Sequence, residues 1–463
     1  MSADIQHVVV LVLENRSFDH VFGYRKGVDG LKGTETNLLD PSRPVSPSNP
    51  LFKVSNAEPY TITAGEGPAH SFDAANTQMY GTDAGPASGQ PATNNGFVLS
   101  YRDALAKDFV ANPTFDQIRV VMEAFAPGTL PALEALADAF CVCDRWFSEV
   151  PGPTMPNRMF FHMATSAGYT YNDWHHTFPN KTIYNSLEDA GKTWATYNFD
   201  QNEVRQFSQV RNKRACFKSF ETDFQTDVTS GALPNYSYII PRFLASADPV
   251  NSMHGPYDVR PADQLVADVY NQLRSNDAVW NKSVLIITMD EHGGFYDHVI
   301  PPAAPNPDGI DASNFQFDRL GIRVPAVIAS PWIPAGTVDS TAYQHTSILA
   351  TLKNLYGLAD FLTKRDASAN AFDTLFSEAT PRTDTPKTIA SAPHVPTPRT
   401  FATGAPVDHS CFGLDSLQQE MVHGVDVLTQ PDKNRLLSLA GLPQTQGEAA
   451  DFILRRIQSA FGP

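Results

Sequence analysis

The sequence predicts an α/β fold in which helices pack around a mostly parallel sheet. His7–Leu13 and residues 284–289 are nearly continuous apolar runs, as in strands that are buried on both faces of a parallel sheet. Helical patterns alternate with these strands, which is typical of layered α/β proteins. The chain has 463 residues, of which 42% are hydrophobic, so it can bury a large core and is not disordered throughout.

The other elements follow from local patterns along the chain. Apolar residues at helical spacing predict helices at 130–139 and 346–356, and Pro261 suits the first turn of another helix. A turn at 151–156 leads into a predicted helix at 157–165. Further strands are predicted at 140–147, 236–240 and 324–329. Residues 365–410 are rich in Pro, Thr and Ala and predict an extended wrap, which two helical patterns follow within 415–457.

Charge and hydropathy argue against several classes of function. The net charge of −16 disfavours non-specific binding to nucleic acid and simple electrostatic docking on anionic lipid. No apolar run reaches the roughly 18 residues of a transmembrane helix. The N-terminus lacks the basic and apolar regions of a signal peptide. We therefore expect at most peripheral contact with a membrane, while export or a cytoplasmic location stays open, as does the oligomeric state.

Carboxylates follow both of the buried strand runs. The first run leads into Glu14 and Asn15, and the second leads into Asp290 and Glu291. Ligands of α/β sheets bind beyond the carboxyl ends of the strands, so these oxygens would meet at one edge. Crowded carboxylates repel one another unless a cation lies between them, and oxygen ligands suit Mg, Ca, Mn or Zn. The alternative is that they are ordinary solvated acids at strand ends.

A threonine and several histidines are candidates for the chemistry. Thr154 lies in a Pro-rich turn just before a predicted helix, where free backbone N–H groups could bind an anion and the hydroxyl could attack phosphorus. The alternative is that Thr154 only caps the helix. His70, His254 and His292 stand beside Gly or Pro in turn-like segments, and histidine is a common proton donor. For each histidine, a structural role is the alternative.

Five motifs resemble the bacterial phospholipase C and acid phosphatase phosphoesterase family. They are VVLVLENRSFDHVFG at 9–23, GPTMPNR at 152–158, IITMDEHGGFYDHVIPP at 286–302, GIRVP at 321–325 with SPW at 330–332, and QHTS at 344–347. All five occur in the family order. The resemblance implies the alkaline-phosphatase-like fold, a three-layer α/β/α sandwich with insertions that form a cap. It also implies hydrolysis of phosphate esters through a covalent phospho-enzyme.

The resemblance also assigns site residues, which all agree in type with the family pattern except near His254. It implies Thr154 as the nucleophile and a divalent metal held by a set of five side chains: Glu14, Asn15, Thr154, Asp290 and Glu291. His70 and His254 match family histidines, although Gly255 follows His254 where the family has Pro. His292 would support the anion, and Arg158 and His345 would be structural or supporting residues. We expect one catalytic domain over 1–463, with cap insertions at 30–113 and 166–235 and a C-terminal wrap and helices at 365–463.

Two substrate classes remain open at this stage. One is a phospholipase C that acts on phosphatidylcholine-like phosphodiesters through a phosphothreonine, which the threonine at position 154 favours within the family. The other is a broad acid phosphatase that acts on small phosphate monoesters. An inactive homologue that only binds is a third alternative. Aromatic residues of the two insertions could contact a choline-like cation or could simply pack the cap. They are Phe72, Tyr80, Phe97, Tyr169, Tyr171, Trp174, Phe178 and Tyr184.

Overall fold

The computed structural model describes residues 3–57, 60–61, 67–87, 89–108, 110–174, 176–245, 248–393, 418–419, 421–422, 425 and 443–461. The strands are β1 His7–Leu13, β2 Thr36–Leu38, β3 Leu51–Lys53, β4 Cys141–Cys143, β5 Trp146–Phe147, β6 Trp194–Asn198, β7 Phe217–Ser219, β8 Tyr236–Ile239, β9 Ser283–Met289, β10 Ala326–Ala329, β11 Thr337–Asp339 and β12 Tyr343–Gln344. The helices are α1 Phe18–Phe22, α2 Phe72–Tyr80, α3 Phe97–Asp108, α4 Phe115–Ile118, α5 Pro131–Ala139, α6 Thr154–Met163, α7 Ile183–Asp189, α8 Gln225–Ser230, α9 Arg260–Arg274, α10 Asp277–Trp280, α11 Thr346–Tyr356, α12 Lys364–Ser368 and a C-terminal helix Gln446–Phe461.

Eight of these strands form the main sheet, in the order β11-β4-β10-β9-β1-β8-β6-β7. Seven run in the same direction, and β10 runs against both of its neighbours. The predicted mostly parallel sheet is therefore confirmed. Strands β1 and β9 lie side by side at its centre, paired from His7 with Ser283 to Leu13 with Met289.

The central strands are buried on both faces because helices cover both. Every residue of β9 is buried, although successive side chains point to opposite faces of the sheet. Helices α5 and α9 pack against each other, and helices α6 and α11 form a separate contacting pair. Helix α5 has no capping side chain of its own. The carboxylate of Asp263, in α9, accepts hydrogen bonds from the backbone N–H groups of Ala132 and Leu133 instead.

Three predicted elements differ from the structure by more than one residue in their bounds. The predicted strand at 140–147 is two short strands, because the chain leaves the sheet at Asp144 and Arg145 and β5 pairs with β12 instead. The predicted strand at 324–329 begins only at Ala326, after Pro325, which has no N–H to donate. The predicted helix at 157–165 starts earlier, at Thr154, and ends at Met163.

The two predicted insertions contain more regular structure than their composition indicates. Residues 30–113 include α2 and α3, which build a small core of their own with β3 around Phe52, Met79 and Tyr101. Residues 166–235 contribute β6 and β7 to the edge of the main sheet, so this segment is only partly an insertion. Most of the predicted C-terminal wrap after residue 393 lies outside the described residues. Within the described ranges, every helix is too short or too polar to span a lipid bilayer.

Candidate active site

The carboxyl ends of β1 and β9 bring the four predicted strand-end ligands together. The N–H of Asp290 donates to Leu13 O at 3.1 Å, and the N–H of Arg16 donates to Glu291 O at 3.2 Å. Asn15 adopts φ 62°, a left-handed conformation that asparagine tolerates better than most residues. Gly293 lies so close that a Cβ there would meet Asn15 O at 2.1 Å, so only glycine permits this approach.

Several groups form hydrogen bonds with the carboxylate and the backbone carbonyl of Asp290. Its Oδ2 accepts from Arg158 Nε at 2.9 Å, and its Oδ1 accepts from the N–H of Glu291 at 2.7 Å. Its backbone carbonyl contacts His345 Nε2 at 2.7 Å. Burial raises the pKa of Asp290, the charge of Glu291 adds to this, and Arg158 opposes it. Burial lowers the pKa of His345 to about 3, so this imidazole is neutral and acts as a hydrogen-bonding support.

Thr154 is the first residue of α6, directly after Pro153, and its side chain is fully buried. Asn157 shapes the preceding turn, because its amide donates to the carbonyls of Val150, Gly152 and Pro153. Thr154 does not cap the helix. The predicted anion site of backbone N–H groups is also reduced, because Met155 N–H donates to Asn172 Oδ1 and Pro156 has no N–H.

Three oxygens of the predicted ligand set suit a cation. Asn15 Oδ1, Thr154 Oγ1 and Glu291 Oε1 are buried and accept no hydrogen bond from any residue that the structure describes. Buried polar atoms normally have partners, so such oxygens fit the ligand set of a hard divalent cation. Arg158 lies one turn after Thr154 and contacts Asp290, which places the start of α6 beside the end of β9. Glu14 is buried at the same strand end.

The three predicted histidines have different surroundings. His70 Nε2 lies 3.3 Å from Asn15 Nδ2 and 3.9 Å from Glu291 Oε1. The rings of His70 and His254 are 5.8 Å apart, so both border the site. His292 is fully buried between Glu291 Oε2, at 3.4 Å, and Gln78 Oε1, at 2.7 Å. Burial lowers the pKa of His292. For Glu291, burial raises the pKa, but His70 and His292 outweigh it and the net shift is downward.

The loop that carries His70 is fixed by residues outside the predicted site. Gln78 donates to Ala69 O at 2.7 Å while its oxygen faces His292. A Cβ on Gly294 would meet Ala69 O at 2.4 Å, so this loop lies directly on the Gly293–Gly294 turn. Gln78 belongs to α2, within a segment whose sequence shows little periodicity, and no local signal marks it. Asn157, in contrast, lies within a quoted motif and could have been selected.

A second polar cluster includes Asp19 of the first motif. Asp19, Asp297 and His298 are the one acidic and histidine group in the described ranges whose potential ligand atoms all lie within 4.8 Å of one another. The fully buried Arg323 already donates to Asp19 Oδ1 at 2.8 Å and to Asp297 Oδ1 at 3.1 Å. Because this guanidinium balances the carboxylates, we interpret the cluster as an ion-pair network that joins three motifs. The predicted carboxylates Glu14, Asp290 and Glu291 form no such group.

The raised pKa of His298 predicts that the protein loses stability at alkaline pH. Burial lowers its pKa, but the hydrogen bond to Asp19 and the charges of Asp19 and Asp297 raise it more, to about 9, from 6.5. The folded pKa exceeds the unfolded one, so the stabilisation is complete below the unfolded pKa and is lost as pH rises through the folded value. We expect the free energy of unfolding, measured with denaturant, to fall as the pH rises from 6.5 to about 9. The loss should be smaller in His298→Gln, and an equal loss in that variant would contradict the assignment.

Comparisons with known proteins identify the family of this chain. The model of the phosphoesterase family matches residues 5–359. Non-specific phospholipase C3 of Arabidopsis thaliana is 36% identical over 456 residues, covering 92% of this chain and 83% of the relative. Non-specific phospholipase C1 of the same plant is 39% identical, covering 83% and 73%. Phospholipase C B of Mycobacterium tuberculosis is 27% identical, covering 82% and 78%.

Solved structures are more distant. A protein in the alkaline phosphatase superfamily from Vibrio parahaemolyticus is 11% identical, covers 52% of this chain and 64% of its own, and has a TM-score of 0.31. That likeness is too low to carry the assignment, which depends on the family match and the sequence relatives. The predicted family is confirmed on those grounds: the chain belongs to the phosphoesterase family and is a phosphoric ester hydrolase.

Proposed function

We propose that the chain is a metal-dependent phospholipase C that cleaves phosphatidylcholine-like phosphodiesters through a phosphothreonine at Thr154. The observation that carries this proposal is the state of Thr154 Oγ1, which is buried at the start of α6 and accepts no hydrogen bond within the described part of the chain. A hydroxyl without a hydrogen bond to any described residue, on the helix that Arg158 connects to Asp290, suits a nucleophile better than a cap. Relatives named phospholipase C support the lipid substrate.

Phosphoesterases with an alkaline-phosphatase-like fold generally use divalent metals. Glu14, Asn15, Thr154, Asp290 and Glu291 would hold the cation here, with Mg, Ca, Mn and Zn all compatible with oxygen ligands. When bound, it would supply Lewis-acid activation of the hydroxyl and neutralise charge on the phosphoryl oxygens. Arg158 and Glu203 adjust the local charge, because the guanidinium bridges Asp290 at 2.9 Å and Glu203 at 3.2 Å.

The chain's own residues then divide the reaction between them. Thr154 Oγ attacks phosphorus, the diacylglycerol oxygen leaves, and water later releases the head-group phosphate from the threonine. His70 Nδ1 lies 3.1 Å from Pro68 O and its Nε2 lies 3.3 Å from Asn15 Nδ2, so both ring nitrogens are engaged and the ring orients Asn15. We therefore assign the proton transfer to the leaving oxygen to His254. His292 lies behind Glu291 and Gln78 and is a positioning residue for the carboxylate rather than an anion contact.

A paired turnover assay tests the proposal. We expect the metal-loaded protein to hydrolyse p-nitrophenyl phosphorylcholine faster than p-nitrophenyl phosphate, because the first is a phosphodiester. A chelator should abolish the activity, and added divalent cations should restore it. Preference for the monoester would instead identify an acid phosphatase. Absence of turnover of both esters with every cation tested would contradict the proposal.

A further inference from the structure

The loop at residues 169–173 borders the turn that carries Thr154. Asn172 Oδ1 accepts from Met155 N–H at 2.8 Å, immediately after the proposed nucleophile. On the other side of the turn, a Cβ added to Gly152 would lie 3.6 Å from Thr170 O. The loop is therefore anchored to the residues before and after Thr154.

A shallow cleft, open to solvent, lies between this loop and helix α6. It is lined by Tyr169, Tyr171, Phe178 and Asp173, and Met155 and Met159 of α6 also border it. The ring of Tyr169 lies 5.3 Å from that of Tyr171 and 5.8 Å from that of Phe178. Tyr171 is 59% exposed, whereas Phe178 is buried. Burial raises the pKa of Tyr169 and the charge of Asp173 raises it further, which places this carboxylate near the aromatic rings.

The other aromatic residues of the two insertions have structural contacts instead. Phe72 packs against Phe315, and Tyr80 lies against the guanidinium of Arg319. Trp174 and Tyr184 are fully buried in the main core. Phe97 belongs to the small core of the first insertion. The open cleft therefore selects Tyr169 and Tyr171 as candidates for contact with a ligand, while Phe178 lines the cleft from the main core.

We propose that this cleft binds the cationic head group of the substrate, a methylated ammonium such as that of choline, while Thr154 attacks the adjacent phosphorus. This inference rests on the proposed phosphodiester chemistry. Aromatic faces attract alkylammonium ions through their quadrupoles, and a nearby carboxylate adds direct charge attraction. In a choline ester the nitrogen is separated from phosphorus by only one oxygen and two carbons, so the head-group site has to lie close to Thr154, and Met155, the next residue, lines this cleft. Neutral head groups would gain nothing from Asp173.

Two matched esters isolate the contribution of the positive charge. One is p-nitrophenyl phosphorylcholine, and the other is p-nitrophenyl 3,3-dimethylbutyl phosphate, which has the same shape with carbon in place of nitrogen. Cation–π contact plus one carboxylate predicts a preference of about tenfold in kcat/KM for the choline ester in the wild type. Asp173→Asn and Tyr171→Leu should each reduce the ratio of kcat/KM for the choline ester to kcat/KM for the neutral ester by about threefold. Tyr171→Phe should retain it.

The control variant is Asp360→Asn, which makes the same charge change at an exposed position after α11. It should leave the preference unchanged. Equal hydrolysis of both esters by the wild type would overturn the head-group site and leave the phosphodiesterase proposal intact. Hydrolysis of neither would contradict the proposed function, and the cleft would then be tested by calorimetry with choline alone. Millimolar binding that Asp173→Asn weakens would support the site, and no binding would overturn it.

Discussion

Thr154→Ala is expected to lower kcat by about four to six orders of magnitude, as loss of a covalent nucleophile does in other hydrolases. No neighbouring hydroxyl can replace it at the start of α6, because Pro153 precedes it and Met155 and Pro156 follow. The measurement is steady-state hydrolysis of p-nitrophenyl phosphorylcholine by the metal-loaded variant. Thr154→Ser retains a hydroxyl and should keep much more activity. If the kcat of Thr154→Ala were within tenfold of that of the wild type, Thr154 could not be the nucleophile.

The same variant should not lose stability in the absence of metal. A buried hydroxyl without a hydrogen bond costs about 1–3 kcal/mol, so its removal offsets the small loss of methyl packing. We expect the free energy of unfolding of metal-free Thr154→Ala to equal or exceed that of the wild type. Clear destabilisation would favour the structural role that the sequence left open for Thr154. The measurement therefore distinguishes a catalytic role of Thr154 from a structural one.

Arg323→Met is expected to destabilise the protein by about 3–5 kcal/mol, because it leaves buried carboxylates without their counter-charge. Arg323 is fully buried and donates to Asp19, Asp297 and two backbone carbonyls. These bonds join the segment after β1, the segment after the Gly293–Gly294 turn and the entry to β10. The measurement is unfolding by denaturant, monitored by circular dichroism.

Two controls accompany Arg323→Met. Arg102 forms an ion pair with the adjacent Asp103 on the surface, and Arg102→Met should cost less than about 1 kcal/mol. Adding Asp297→Asn to Arg323→Met should recover part of the lost stability, since it removes one of the unpaired charges. If the double variant were less stable than Arg323→Met alone, the ion-pair interpretation would be wrong. Equal losses for Arg102→Met and Arg323→Met would also contradict it.

The sequence predicted those parts of the molecule that depend on strong local patterns. His7–Leu13 has the predicted bounds because its apolar run is continuous and ends sharply at Glu14. Helix α11 also has the predicted bounds, with Gly357 in a left-handed conformation at its end. Strands β6 and β7 were missed because they are short and their residues mix polar and aromatic types, so no periodicity separates them from loop.

The residues of the candidate site also divide into those that local patterns identify and those that only the tertiary structure brings together. Glu14, Asn15, Asp290 and Glu291 were found because strand ends in parallel sheets meet at one edge. Arg323 was quoted within a motif, but its partners Asp19 and Asp297 come from two other motifs, and only the tertiary structure brings the three together. The support of the His70 loop by Gln78 likewise depends on how α2 packs, which the local sequence does not encode. The roles of the individual site residues remain predictions.

The guanidinium of Arg158 connects helix α6 to the end of strand β9 through a hydrogen bond. It contacts the carbonyls of Val12 and Leu13 as well as Asp290 and Glu203, so it fixes the helix to both central strands at once. The hydroxyl of Thr154 and the two strand ends are therefore held in one arrangement by a single side chain. On the proposed function, the reacting groups are aligned before the substrate binds, so little of the binding free energy has to be spent on ordering them.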